Sequence, residues 1–110
     1  MVEIKRNPNS KDFLVEAHEN GEITASLHGE ITDGVFDITA YEGDKYLFDG
    51  VCRAALNSAE HEGAKSAVIK ESVPDWLLML FGYKRDIPSI WDFFEEKNCN
   101  CSCNCENNIV

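Results

Sequence analysis

VFDITAYEGDKYLFDGVCRAALNSAEHEGAKSAVIK, residues 35–70, changes its hydrophobic period twice without a break. Val35 to Tyr41 alternates, with Phe36, Ile38 and Ala40 on one face, as a strand requires. Phe48, Val51, Cys52, Ala55, Leu56 and Ala59 then recur every three or four residues, the pattern of an amphipathic helix. Gly63 suits the left-handed position that ends such a helix. Ser66 to Lys70 follows, with Ala67, Val68 and Ile69 apolar in succession, the composition of a strand buried on both faces. Strand, helix, strand in this order fits an α+β domain.

Upstream, Phe13, Val15 and Ala17 alternate with Leu14, Glu16 and His18. Asn20-Gly21 then marks a tight hairpin turn. In the next strand Ile23, Ala25, Leu27, Gly29 and Ile31 face one way, and Glu22, Thr24, Ser26, His28 and Glu30 the other. Asp33-Gly34 marks a second turn, so three strands form an antiparallel meander. Downstream, Ser72-x-x-Asp75 resembles a capping box, with Pro74 in the first turn of a second helix. Trp76, Leu77, Leu80 and Phe81 are its expected buried stripe and Gly82 its end. Lys84 and Arg85 fall near the negative end of that helix dipole. Ile87, Ile90, Trp91 and Phe94 keep helical spacing, with Asp86 as a cap, although the aromatic content also permits a strand. The domain is expected to span residues 1–97, with a Cys/Asn-rich flexible tail at 98–110.

The chain has 110 residues, 44% hydrophobic and 27% charged, which fits one domain with a modest core. Twenty acids against ten bases give a net charge of −10. Such a surface repels nucleic-acid phosphate and anionic membranes and favours a metal ion or a basic small molecule or peptide. No apolar run is long enough to cross a bilayer. Met1 to Ser10 carries Lys5 and Arg6 with no apolar stretch behind them, so a cytoplasmic location is expected.

The segment from Phe36 to Lys84 resembles the core of the GNAT acetyltransferase superfamily. The likeness lies in the order of FDITAY, loop, helix ending in EHEGAK, SAVIK and second helix, and in Phe81-Gly82-Tyr83-Lys84, which is similar to the family's Gly-Phe signature. The resemblance implies a mixed, largely antiparallel sheet flanked by helices and splayed at the middle, where acyl-CoA would enter. It implies cofactor contacts at Ala40, Gly43 and Gly50. The family's phosphate cradle needs small residues, but its two glycine positions fall here near Tyr46 and Phe48. Glu42, Asp44 and Asp49 surround that place against a single lysine, Lys45, and carboxylates repel phosphate. The position of the family's usual general acid is Leu78, which has no proton to give. Glu30, His28 and Asp37 are the nearest strand residues able to act as a base, though alternate polar positions normally just face water. His18 and His61 offer no stronger case.

Cys99, Cys101, Cys103 and Cys105 alternate with Asn and Ser in the tail. No packed core needs that pattern, so it points to thiol chemistry. Zinc binds four thiolates tetrahedrally at about 2.3 Å, usually from Cys-x-x-Cys units. Cys-x-Cys units better suit a polythiolate cluster or a soft ion such as copper(I). Two neighbouring thiols also permit a strained, reducible disulfide. The fifth cysteine, Cys52, lies in the helical pattern and is expected to pack as a small hydrophobe. The leading expectation is a non-classical GNAT-like binding or accessory domain with a soft-metal tail (zinc or copper). An acetyl-CoA-dependent N-acetyltransferase of a basic amine and a protein-interaction scaffold are the alternatives.

Overall fold

A computed structural model describes residues 2–95 of the chain. Its sheet has six strands in chain order: β1 (Val2–Arg6), β2 (Phe13–Glu19), β3 (Glu22–Thr32), β4 (Val35–Gly43), β5 (Ser66–Ile69) and β6 (Asp86–Ile87). All neighbours are antiparallel except β4 and β5, which run parallel. A parallel pair needs a long crossover, and α1 (Phe48–His61) supplies it. The expected α+β class and largely antiparallel sheet are therefore present.

The meander follows from its turns. Asn20 and Gly21 have φ of 54° and 84°, and Asp33 and Gly34 have 52° and 80°. Two successive positive φ angles are what a two-residue hairpin of native twist requires. The sequence did not announce β1. Val2 and Ile4 are only half-buried, and the strand is held by Arg6, whose guanidinium lies 3.7 Å from the centre of the Phe13 ring and pairs with Glu62. Ile23 departs from its expected inward face and is 57% exposed. The register slips between Ala17 and His18, so the alternation that buries Ala25 and Leu27 does not continue to Ile23.

The face carrying Phe13, Val15, Leu27, Phe36 and Ile38 packs against α1. All six apolar positions expected on α1 are fully buried. Burying Phe48, Val51 and Leu56 contributes about 1.5–3 kcal/mol each before the cost of ordering the chain. Strand β5 differs from the expectation of burial on both faces. Ala67 and Ile69 are buried, while Ser66 and Val68 are half-covered, so its second face is only partly closed.

Helix α2 (Asp75–Phe81) starts at Pro74, with no side chain capping it. Ser72 does not form the expected capping box; its hydroxyl donates to the Thr39 carbonyl of β4. Leu77 and Leu78 are buried, whereas Trp76 and Leu80 are 57% and 50% exposed. Every residue after Asp75 in this helix is apolar, so periodicity could not choose the inward face. Gly82 ends the helix at φ 74° as expected. Arg85 does not serve the helix dipole. It donates to the carbonyls of Lys70 and Val73 at 2.7 Å each and to Asp75 at 2.5 Å, tying β6 to the connection before α2.

The ambiguous segment after Tyr83 divides. Asp86 and Ile87 pair with Val68 and Ala67, and residues 90–95 are helical, with Ile90 fully buried. Ser89 rather than Asp86 caps that turn, its Oγ accepting from the Asp92 amide at 3.1 Å. Trp91 is 64% exposed, outside the stripe proposed for it. The 98–110 tail lies outside the described residues.

Candidate functional site

The parallel pairing of β4 with β5 covers four rows, from Val35–Ser66 to Ile38–Ile69. The Lys70 amide adds one bond to the Ile38 carbonyl at 2.9 Å. β4 then continues to Gly43 while the chain after β5 turns away into α2. Aromatic rings fill the wedge this leaves. Phe48, at the start of α1, meets Tyr41 edge-on at 5.0 Å and Tyr83 at 5.3 Å, and stacks with Phe81 at 6.1 Å. Phe48 thus joins the end of β4, the start of α1 and the end of α2.

The three cofactor candidates do not gather at this wedge. Ala40 pairs with His28 and is half-buried; the register slip between His28 and Gly29 turns it away from the face that buries Phe36 and Ile38, contrary to the alternation expected for β4, and Tyr41 takes the inward place. Gly43 closes β4 opposite Ala25, at φ 113°. A Cβ there would stand 2.3 Å from the Thr24 carbonyl oxygen, so close strand approach alone calls for glycine. Gly50 lies in the first turn of α1, where a Cβ would stand 3.2 Å from the Ile4 side chain of β1. Between them, Lys45–Leu47 forms a short 3-10 turn, with the Asp44 carboxylate accepting from the Tyr46 amide at 2.9 Å. The two glycines therefore belong to different packing contacts.

Glu30, His28 and Asp37 project from the face of the sheet opposite the buried residues Leu27, Phe36 and Ile38. The sheet separates them from the aromatic wedge. Glu30 and Asp37 are cross-strand partners, and Lys70 lies 3.9 Å from Asp37. His28 lies 3.4 Å from Asp12, His18 3.0 Å from Glu16, and His61 bonds the Asn57 carbonyl at 2.8 Å. Leu78 is buried in the core.

A buried polar group that the periodicity did not reveal lies beside the wedge. Tyr83 is 7% exposed, and its hydroxyl donates to the Asp49 carboxylate at 2.7 Å. Asp49 and Cys52 are three apart on α1 and share the face toward Tyr83. In the sequence Tyr83 stands out only as part of the Phe-Gly-Tyr-Lys run. Its partners stand 34 residues earlier, so nothing local announced the contact. Burial raises the Tyr83 pKa well above the ordinary phenol value, aided by Cys52 and Asp49. Burial also pushes Tyr41 up to about 12, with Asp44 and Cys52 adding to the shift.

Unfolding lets both phenols ionise near pH 10. Raised folded pKa values mean that the stabilisation is complete below pH 10 and falls as pH climbs above 10, through about 12 for Tyr41 and beyond for Tyr83. Tyr83→Phe should cost about 1–2 kcal/mol at pH 7, by removing one hydrogen bond to a carboxylate. The same variant should show a shallower loss of stability between pH 10 and 11.5 than the parent. Urea midpoints across that range check this, and parallel curves would contradict the assignment.

Among the described residues, no group of three or more His, Cys, Asp or Glu side chains could hold a metal ion. No helix among them is long and apolar enough to cross a membrane. Cys52 is fully buried, as expected. Cys99, Cys101, Cys103 and Cys105 lie outside the described residues. No protein-family model, curated protein or solved structure matches the chain, so the GNAT resemblance rests on element order and the residues quoted for it.

Proposed function

We propose that this protein is a non-catalytic, GNAT-like binding module that carries a soft metal ion, zinc or copper(I), on Cys99, Cys101, Cys103 and Cys105. The observation that carries the reading is the run of four cysteines at alternate positions in a polar segment. Thiolates are soft, strong ligands for such ions. Cys52 does not compete with them, being fully buried within the body. The wedge beside β4 supports the non-catalytic half of the proposal: Phe48 and Phe81 occupy it, and Asp44 and Asp49 flank the α1 start with negative charge.

Native mass spectrometry of protein purified without oxygen tests this. The expected spectrum carries a metal increment that disappears when all four tail cysteines become serine. Thiolate sites in small zinc peptides bind with about 10–16 kcal/mol, so uptake should be stoichiometric at micromolar protein. Uptake that survives deletion of residues 98–110 would overturn the assignment. One observation favours the alternative, transfer of an acetyl group from acetyl-CoA to a basic amine: β4 runs on past β5, leaving Ala40 and Gly43 beyond the paired rows. Adding acetyl-CoA to the same sample decides between them. A CoA adduct without metal would make acetyl transfer the better reading.

A further inference from the structure

The two edges of the sheet differ. β6 has two residues, whereas β1 presents five, Val2–Arg6. The register of β1 with β2 is unbroken, from Val2 opposite Glu19 to Arg6 opposite Val15. One row further, the Asn7 amide donates to the Leu14 carbonyl at 2.9 Å. Antiparallel rows alternate between pairs that exchange both hydrogen bonds and pairs that exchange none. Asn7 with Leu14 is of the first kind, so Lys5 with Glu16 and Glu3 with His18 are as well. The amides and carbonyls of Val2, Ile4 and Arg6 therefore point away from β2, and among the described residues no group bonds them. Proteins blunt such edges with proline, a bulge or an inward charge. β1 has no proline and no bulge, and its one core-side charge, Arg6, is already paired with Glu62. Val2 and Ile4, on the same side, are only half-buried.

We propose that β1 pairs with β1 of a second copy, antiparallel and centred on Ile4, to make one continuous sheet across a two-fold axis. Hydrogen bonding admits self-pairing centred on Glu3, Ile4 or Lys5, since each brings outward groups together. Centring on Glu3 sets Glu3 against Glu3, and centring on Lys5 sets Lys5 against Lys5; both repel. Centring on Ile4 sets Glu3 opposite Lys5 in both directions, and it uses the whole strand. Ile4 then exchanges hydrogen bonds with Ile4, and Val2 with Arg6. Glu3 and Lys5 fall in the alternate rows, where opposite Cα atoms stand only about 4.5 Å apart. Within one copy the Lys5 ammonium lies 3.6 Å from the Glu3 carboxylate, and both side chains are more than half exposed. Pairing joins the two ion pairs into a ring of four alternating charges. On the other face, the half-buried Ile4 side chains of the two copies cover one another. The chain's net charge of −10 opposes self-association, but residues 2–11 hold Lys5, Arg6 and Lys11 against Glu3 alone. This edge is thus where a second copy meets little repulsion, and at 0.15 M salt charges beyond about 8 Å are largely screened. One strand edge buries less than the roughly 1,200 Å² of a stable interface, so the dimer is reversible and forms near about 0.1 mM chain. The pairing is independent of the metal tail and of any acetyl-CoA binding.

Sedimentation velocity of the full chain under reducing conditions in 0.15 M salt, with and without a chelator, provides the test. The expected result is a shift from monomer to dimer between about 5 and 500 μM in both buffers. Lys5→Glu and Glu3→Lys should each weaken self-association at least about tenfold, because each sets like charges opposite one another in both rows. The two substitutions move the net charge in opposite directions, so general repulsion would weaken one dimer and strengthen the other. An equimolar mixture of the two variants should restore a dimer, since each row again pairs Glu with Lys. Ile4→Pro removes an amide that faces away from β2 and should abolish the dimer while the monomer folds. Circular dichroism checks each variant, and the two exposed charge changes carry the test if the proline variant does not fold. A chain that stays monomeric at 500 μM, a dimer that both charge variants leave unchanged, or a mixture that stays monomeric overturns the proposal. A dimer seen only without the chelator overturns it in favour of metal bridging through the tail cysteines.

Discussion

Gly43→Ala is expected to destabilise the protein by about 3 kcal/mol or more and to leave little folded chain at 37 °C. The added Cβ would stand 2.3 Å from the Thr24 carbonyl oxygen and 2.6 Å from the Ala25 Cα, both backbone atoms of β3. Neither can rotate away, so relief requires parting the strands. The backbone itself is at φ 113°, a region that L side chains rarely adopt and that costs about 1–3 kcal/mol to enforce. The Asp44 amide also donates to the Thr24 carbonyl at 3.0 Å, so any retreat of β3 strains the turn leading to α1. Gly50→Ala is the informative contrast. Its Cβ would meet only the end of the Ile4 side chain at 3.2 Å, which can shift, and alanine favours helix by about 1 kcal/mol over glycine. Urea titration should therefore show a large loss for Gly43→Ala and little change for Gly50→Ala. Comparable midpoints for the two variants would mean that the close strand approach is not what holds Gly43. Gly50→Ala is also the cleaner variant for judging acetyl-CoA binding, because its effect is not confounded by unfolding.

Phe48→Ala should cost about 3–5 kcal/mol, a large share of the stability of a domain this size. The ring is fully buried and touches Tyr41 on β4 and Phe81 and Tyr83 at the end of α2, two distant parts of the chain. Aromatic pairs add about 0.5–1.5 kcal/mol beyond area burial, and their loss here is shared among three partners. The vacated space has no side chain able to refill it without moving α2, because Leu77 and Leu78 are already buried against the core. Phe48→Leu should retain most of the stability. Thermal unfolding followed by near-ultraviolet circular dichroism reads both effects, since Tyr41 and Tyr83 report from the same cluster. A Phe48→Ala loss below about 1 kcal/mol would show that the wedge collapses freely and that Phe48 does not hold β4, α1 and α2 together.

The sequence was most legible where one element faced one environment. The six inward positions of α1 were all readable, because polar residues on the other side of that helix left a single choice. Both hairpins were readable because Asn-Gly and Asp-Gly take the positive φ angles a tight turn needs. The inward face of α2 was hidden because DWLLMLF offers apolar residues on every side. Strand β1 was hidden because two half-buried residues, Val2 and Ile4, make too short an alternation to register. Among the candidate site residues, the alternate spacing of the four tail cysteines is a property of the sequence alone and lies outside the described residues. The separation of Glu30 and Asp37 from the aromatic wedge was not legible, because the side of a sheet that a helix covers is set by long-range packing.

By itself, the sequence determined the α+β class, the antiparallel meander, the position of α1 and the concentration of thiols in the tail. These follow from periodicity, turn chemistry and composition, which act over a few residues. Only the tertiary structure decided that Tyr83 bonds Asp49, that Arg85 serves the β5–α2 connection, that Gly43 stands against the Thr24 carbonyl and that Trp76, Met79 and Leu80 face outward. Each of those depends on which distant segments meet when the core closes, and the energy of that closure belongs to no local stretch of the chain.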